Sequence, residues 1–255
     1  MNTFSIVLAT YNEEANLEDC LKSVKELADE IVIVDGGSTD KTLDIAGKFN
    51  AKIIRTNNPP IFHINKNKAI DAASKEWILQ LDADEIVTEG LADEIRQTIL
   101  KHPDINGYWI PRKNFFLGKF LTKGGQYPDY TLRLYRRGKG RLPAKDVHEQ
   151  AFVGGKVGYL RCDLLHVRDK SFSMYLKRFN RYTDFLALQL EEAGARVNFF
   201  SFLSFILLKP TFWFLKAYLR HRGYVDGFPG FIFALFSSLR FPIAYIKFAA
   251  LRNHK

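Results

Sequence analysis

Cysteine is nearly missing from this chain of 255 residues, where only Cys20 and Cys162 occur, far apart and without metal-ligand spacing. That argues against a disulfide scaffold and suits a reducing compartment. No G-x-G-x-x-G follows the first strand-like run, which passes into "TYNEE", and no G-x-x-x-x-G-K-[ST] occurs at all. Without a glycine turn to admit a pyrophosphate, dinucleotide binding and P-loop hydrolysis are disfavoured. The start, "MNTFSIVLATYNEE", has neither a basic lead nor a small-residue cleavage site, so it reads as a strand and not a signal peptide. Acids are scarce at the other end, with one against nine Lys and Arg in residues 196–255. Long uncharged runs are lacking too. "VNFFSFLSFILL" and "GFPGFIFALFSSL" fall short of the ~20 apolar residues of a spanning helix, and Pro210, Pro229 and Pro242 are expected to break them.

What is present is charge in blocks and an abundance of aromatics. Residues 1–100 carry 10 basic and 18 acidic side chains, residues 101–195 carry 18 and 9. The formal net charge of +9 is therefore concentrated in the second half. A nucleic-acid binder has such a profile, but here the basic tail is also the most apolar part. Basic plus apolar reads better as helices lying at an anionic membrane surface, with Phe and Trp inward and Lys and Arg at phosphate level. An ordinary core helix pair or a dimer interface is the plainer alternative.

Strand and helix patterns alternate through the first hundred residues. "FSIVLAT", "EIVIVD", "AKIIRT" and "WILQLD" read as strands, each but the last followed by a helical segment. Such alternation implies an α/β fold with a mostly parallel sheet flanked by helices, whose ligands sit at the carboxyl ends of strands. Thr10, Asp35 and Asp82 each occupy such an end. Residues 107–166 turn to short strands and loops, and residues 171–195 look helical. The expected divisions are 1–105, 106–170 and a helical extension, 171–255.

"WILQLDADEIV" brings Asp82, Asp84 and Glu85 to one point. Like charges this close repel, and a hard divalent cation such as Mg²⁺ or Mn²⁺ would relieve them. Such a cation usually completes its shell with water and phosphate oxygens, so a nucleotide diphosphate is the implied ligand. A lone D-x-D is more often a solvated turn; the convergence of three strand ends favours the ligand. Lys177 and Arg181, one helical turn apart, offer cations to a diphosphate with Arg178 beside them, or form a solvated basic face. Arg133, Arg136 and Arg137 are candidates for meeting a phosphorylated acceptor, beside a loop made mobile by Gly124 and Gly125.

"LATYNEEANL", "IVIVDGGSTDKT" and "WILQLDADE", in this order and spacing, resemble the nucleotide-sugar half of a family 2 glycosyltransferase with a GT-A fold. "KDVHEQ", "LLHVRDKSFSMYLKRFNRY" and the tail resemble the branch that adds a sugar to the lipopolysaccharide inner core. The resemblance implies that Thr10 and Tyr11 border a uracil, Glu13 a ribose, and Asp35 the base edge. Asp82 would face the ribose and metal, and Asp84 would be the principal metal ligand. Lys66 and Asn67 stand where family members contact the nucleotide, although "HINKNKAI" departs from the common glycine- and arginine-containing version. His166, and less directly His148, stand where a histidine reaches metal or diphosphate. Glu149 matches the acceptor-side base, with Asp146 as the alternate. Tyr11 and Glu13 also suit a plain helix entrance, with Asn12 as its cap.

The implied activity is metal-dependent, inverting transfer of a hexose, glucose or galactose favoured, from a UDP-sugar. The implied acceptor is a lipid-linked saccharide of the lipopolysaccharide core. The place is the cytoplasmic face of a bacterial inner membrane, held peripherally, without nucleic acid. The alternatives are transfer to polyprenyl phosphate or a polyprenyl-diphosphate saccharide, and a non-catalytic lipid- or nucleotide-binding scaffold.

Overall fold

The computed structural model describes residues 3–101, 104–143, 150–169 and 171–253. In chain order they form β1 (Phe4–Thr10), α1 (Leu17–Val24), β2 (Glu30–Asp35), α2 (Thr42–Lys48), β3 (Lys52–Arg55), α3 (His63–Ala72), β4 (Trp77–Gln80), β5 (Glu85–Val87) and α4 (Glu89–Lys101). There follow β6 (Gly107–Phe116), β7 (Lys119–Phe120), β8 (Asp129–Arg136), β9 (Gly140–Arg141), β10 (Phe152–Val153), β11 (Val157–Tyr159), β12 (Leu164–His166) and α5 (Phe172–Glu192). Two long helical stretches, Phe199–Arg220 and Gly227–Asn253, complete the chain. It divides into two compact units, Met1–Arg112 with Asp129–Val167 and Lys113–Pro128 with Arg168–Lys255. The segment Lys113–Pro128 thus groups with the C-terminal helices and not with the strands on either side of it.

The first unit is built on a sheet of order β3-β2-β1-β4-β8-β6-β12-β5. β3, β2, β1 and β4 are parallel; β8 then pairs antiparallel with both β4 and β6. Alternation along the strands supplies two apolar faces. Ile6 and Leu8 meet Leu17, Leu21 and Val24 of α1 and Leu91, Ile95 and Ile99 of α4. Val7, Val32 and Val34 meet Ala69, Ile70 and Ala73 on the other side. Because the four parallel strands share one direction, their carboxyl ends share one edge, with Thr10 directly opposite Asp35.

In the second unit α5 starts at Ser171, whose hydroxyl accepts from Met174 N at 3.3 Å. Its apolar side packs on the last helix: Phe172, Tyr175 and Phe179 surround Phe236, and Ala187 clusters with Tyr245 and Phe248. Phe199–Arg220 lies against the same helix through Phe205 on Tyr245 and Phe214 on Phe231. The expectation that prolines break the tail is corrected. Pro210 opens an α-helical turn directly after the π-helical turn Leu203–Leu208, and the chain remains helical across it. Pro229 lies within the first turn of the last helix and Pro242 in its interior. With the 3₁₀ turn Gly223–Asp226 that leads into the last helix, the stretches Phe199–Arg220 and Gly223–Arg252 are 22 and 30 residues, long and apolar enough to cross a bilayer by length and composition.

Candidate active site

Two loops close the ends of β1 and β2 and hold each other. Asn12 takes a left-handed conformation (φ 55°), its N donating to Ser38 Oγ at 2.9 Å while its Oδ1 accepts from Thr39 N at 2.9 Å. Glu13 N donates to Thr42 Oγ1 at 2.8 Å. Asp35, buried at the end of β2, accepts from Gly37 N and Ser38 N at 2.9 Å, and from Thr10 Oγ1 at 3.2 Å. Gly37 sits at φ +90°, a conformation costly for side-chain-bearing residues. Tyr11 is left 46% exposed at the rim of this platform. The Glu13 carboxylate accepts from Asn16 Nδ2 at 3.0 Å and its carbonyl from Leu17 N, so it also opens α1.

The acid tip follows β4. Asp82 N donates to Glu85 Oε2 at 2.9 Å and Glu85 N returns to Asp82 O at 3.0 Å, a closed turn that projects Asp84 between them. The crowding is relieved by the protein's own cations. Asp82 Oδ1 pairs with Lys66 of α3, and Oδ2 accepts from Arg133 Nη2 at 2.6 Å. Arg133 also reaches Glu85 Oε1 at 3.0 Å and Gln80 Oε1 at 2.5 Å. Arg112 donates to Glu85 Oε1 at 3.3 Å and to Asp129 Oδ2 at 2.6 Å. Glu85 is wholly buried. Burial alone would raise the Asp82 carboxyl, but Arg133 and Lys66 outweigh it and hold it well below the usual carboxylate range. Burial pulls the Lys66 ammonium down, with Asp82 partly offsetting it. Burial likewise opposes the charge on Arg133, but Asp82 and Glu85 prevail and hold the guanidinium more firmly protonated.

Asp84 is treated differently. β12 pairs antiparallel with β5, setting His166 opposite Glu85, and Val167 N donates to Asp84 O at 2.8 Å. That ladder brings His166 Nε2 to 3.3 Å from Asp84 Oδ2. An imidazole and a carboxylate at this separation suit a hard cation held by few protein ligands, with water and phosphate oxygens completing the shell. Among the described residues no group of three His, Cys, Asp or Glu is arranged to hold an ion, so such a site would depend on the ligand's own oxygens.

The structure thus brings Thr10, Tyr11, Glu13, Asp35, Lys66, Asp82, Asp84 and His166 to the strand ends or the tip beside them. Asn67 is engaged elsewhere: its Nδ2 donates to Leu142 O at 2.9 Å and its Oδ1 accepts from Leu142 N at 3.1 Å. That latch fastens α3 to the chain just before residues 144–149. Asp146, His148 and Glu149 lie outside the described residues. Lys177 and Arg181 are exposed on α5 in the second unit, and Arg178 pairs with buried Asp169. The acceptor-phosphate reading of Arg133 and Arg136 is corrected. Arg133 is buried against Asp82 and Glu85, and Arg136 pairs with Glu76 while stacking 4.8 Å from the Trp77 ring centre. A sequence signal existed for Arg133: in "YTLRLYRR" it shares a strand face with Thr131 and Tyr135, and an arginine flanked by Leu132 and Leu134 in a sheet interior needs carboxylate partners.

Residues 5–164 match the family described as glycosyl transferase family 2. A lipopolysaccharide core biosynthesis glycosyltransferase of Rhizobium meliloti (strain 1021) is 32% identical over 237 residues, covering 91% of this chain and 86% of the relative. An uncharacterized glycosyltransferase of Rickettsia typhi is 27% identical over 99% of this chain and 88% of its own length. Among solved structures, S. aureus TarS superimposes with a TM-score of 0.53 at 20% identity, covering 96% of this chain and 53% of that one. TarS 1–349 in complex with UDP-GlcNAc gives 0.50 at 18%, covering 96% and 88%.

Proposed function

Because this chain belongs to glycosyl transferase family 2, we propose that it transfers a hexose from a UDP-sugar to a lipid-anchored saccharide of the lipopolysaccharide core, with inversion. The carrying observation is the unequal treatment of the two tip aspartates. Asp82 is matched by Lys66 and Arg133, while Asp84 meets His166. Asp84 and His166 would hold Mg²⁺ or Mn²⁺, which supplies charge stabilisation to a departing diphosphate. The platform of Tyr11, Glu13 and Asp35 takes the nucleoside, and Asp82, fixed on both oxygens, gives the ribose side a preorganised wall. Lys177 and Arg181 are assigned to the diphosphate. An acceptor hydroxyl needs a base, assigned to Glu149 with Asp146 as the alternate; the Asn67 latch on Leu142 steadies the approach to that segment. The relative from Rhizobium supports the core acceptor, and the UDP-GlcNAc complex of TarS the UDP-linked donor.

The same proposal places the second unit at a membrane. Phe199, Phe200 and Phe212 are 70%, 79% and 58% exposed, and Lys216 and Arg240 stand 4.5 and 4.8 Å from the Trp213 ring centre. Aromatics with cations at their edge are the composition of an interface. Although long enough to cross, the last helix carries α5 along its length, and Lys247 Nζ donates to Asp184 Oδ1 at 2.6 Å. Crossing would drag Lys177, Arg181 and Asp184 into hydrocarbon, a cost of several kcal/mol, roughly 2.5–3.5 for each charge. That cost favours a peripheral placement, which we assign to the cytoplasmic face. The long apolar helices favour one second reading, transfer to polyprenyl phosphate. Incubating the protein with UDP-glucose or UDP-galactose, and separately with core lipid or polyprenyl phosphate, tests both. Product NMR should give an inverted anomeric centre on core lipid; turnover on polyprenyl phosphate alone would select the second reading, and retention would contradict the one-step displacement.

A further inference from the structure

We propose that the turn joining the two apolar helices, together with the loop 119–125, forms one site for the phosphate headgroups of anionic phospholipid, held from beneath by Asp226. The inference rests on the membrane reading above and specifies which groups make it selective for charge. Asp226 is the one acid of residues 196–255, and it is turned inward, 2% exposed. Its Oδ2 accepts from Thr122 N at 2.9 Å and Lys123 N at 2.8 Å, and its Oδ1 accepts from Thr122 Oγ1 at 2.8 Å. Lys119 Nζ stands 3.7 Å away. Gly124 N donates to His221 O at 2.9 Å. Segments a hundred residues apart therefore make one surface. The approach requires small residues, for a Cβ on Gly230 would lie 2.0 Å from Gly223 O and one on Gly223 2.9 Å from Ala217 O.

What remains outward is of one sign. Lys123, Arg220, His221 and Arg222 are exposed, and among the described residues no carboxylate pairs with Lys123, Arg220 or Arg222. Tyr224, Val225 and Phe228 are exposed beside them, and Leu215 and Leu219 continue the apolar surface along the helix. An acidic protein or a nucleic acid would satisfy the cations and leave these apolar side chains in water. A bilayer surface satisfies both at once. Asp226, turned inward onto three donors, binds the loop to the turn and, among the described residues, makes no ion pair with Lys123, Arg220 or Arg222.

Vesicle co-sedimentation of the full chain tests this, comparing phosphatidylcholine alone with a mixture containing phosphatidylglycerol at low salt. The wild-type chain should favour the anionic vesicles. The combined Lys123→Gln, Arg220→Gln and Arg222→Gln variant should bind them roughly a hundredfold more weakly, as loss of three interfacial cations implies. Its binding to neutral vesicles and its thermal midpoint should be unchanged. Removing three charges from the first unit, by Lys25→Gln, Lys48→Gln and Lys139→Gln, should change little. Equal loss in both triple variants, or no loss in the first, would overturn the headgroup site alone. A wild-type chain that binds no vesicle would remove the membrane reading with it.

Discussion

In the first unit, acids outnumber bases around the ends of a parallel sheet, and three carboxylates follow β4 within four residues. Lys66, Arg112 and Arg133 come in from α3, β6 and β8 to meet Asp82 and Glu85, while Asp84 meets His166. In the second unit bases outnumber acids, and the one acid of the tail is turned inward onto the loop at Thr122. The contrast shows where each unit needs something external. Charge compensated inside the fold builds a rigid frame. Charge left at the surface beside uncovered aromatics is what the proposed membrane partner would meet, by its sign and by its apolar company.

Several substitutions break or sharpen this contrast. The largest effect is expected where the acceptor must be deprotonated: Glu149→Gln should lower kcat by roughly 10²–10⁴-fold, with UDP affinity measured by calorimetry nearly intact. Retained turnover would move the base to Asp146. Next comes the buried cation. Arg133→Met leaves Asp82 and Glu85 short of their partner and should cost about 3–5 kcal/mol in denaturant unfolding, whereas Arg222→Gln on the exposed patch should change stability by less than about 0.5 kcal/mol. Similar costs at both sites would erase the distinction between the units.

A smaller change is expected in the second unit when its uncovered rings are made polar. Phe199→Ser, Phe200→Ser and Phe212→Ser together should leave the unfolding midpoint nearly in place, since those rings are mostly exposed, and lower vesicle partition by on the order of tenfold for each ring that inserts. A lowered midpoint with unchanged partition would mean that the rings belong to a protein interface. The mildest effect concerns pH. The folded Asp82 carboxyl lies below its unfolded value, so its contribution is present above about pH 4 and is lost as pH falls further. Thermal midpoints from pH 7 to 5 should be flat in this respect, and Asp82→Asn should make the acid limb below pH 4 shallower.

The four parallel strands and the first helix were legible because each strand run is short and mostly apolar and α1 repeats its apolar residues at three and four, as Leu17, Leu21 and Val24 do. By contrast, α3 buries mainly polar side chains. The convergence of Thr10, Asp35 and Asp82 followed from strand direction alone. The partners of the acids were not legible, because Arg112 and Arg133, 27 residues after Glu85 and 51 after Asp82, come from strands joined by antiparallel pairing that no local pattern encodes. The same limit hid the latch between Asn67 and Leu142. In the tail, proline reads as a breaker on local rules, whereas the chain stays helical across it and packs on the neighbouring helix. His166 was reachable from its family position, whereas its meeting with Asp84 depends on the pairing of β12 with β5.

In the proposed site Asp84 and His166 face the donor's cation, while Asp82 is secured by the protein's own cations. Calorimetric titration of UDP with and without Mn²⁺ tests it most directly. Asp84→Asn and His166→Ala should each abolish the strengthening of UDP binding by Mn²⁺, and Asp82→Asn should weaken UDP binding while preserving that strengthening. Metal linkage that survives loss of Asp84 and vanishes with Asp82 would contradict the account.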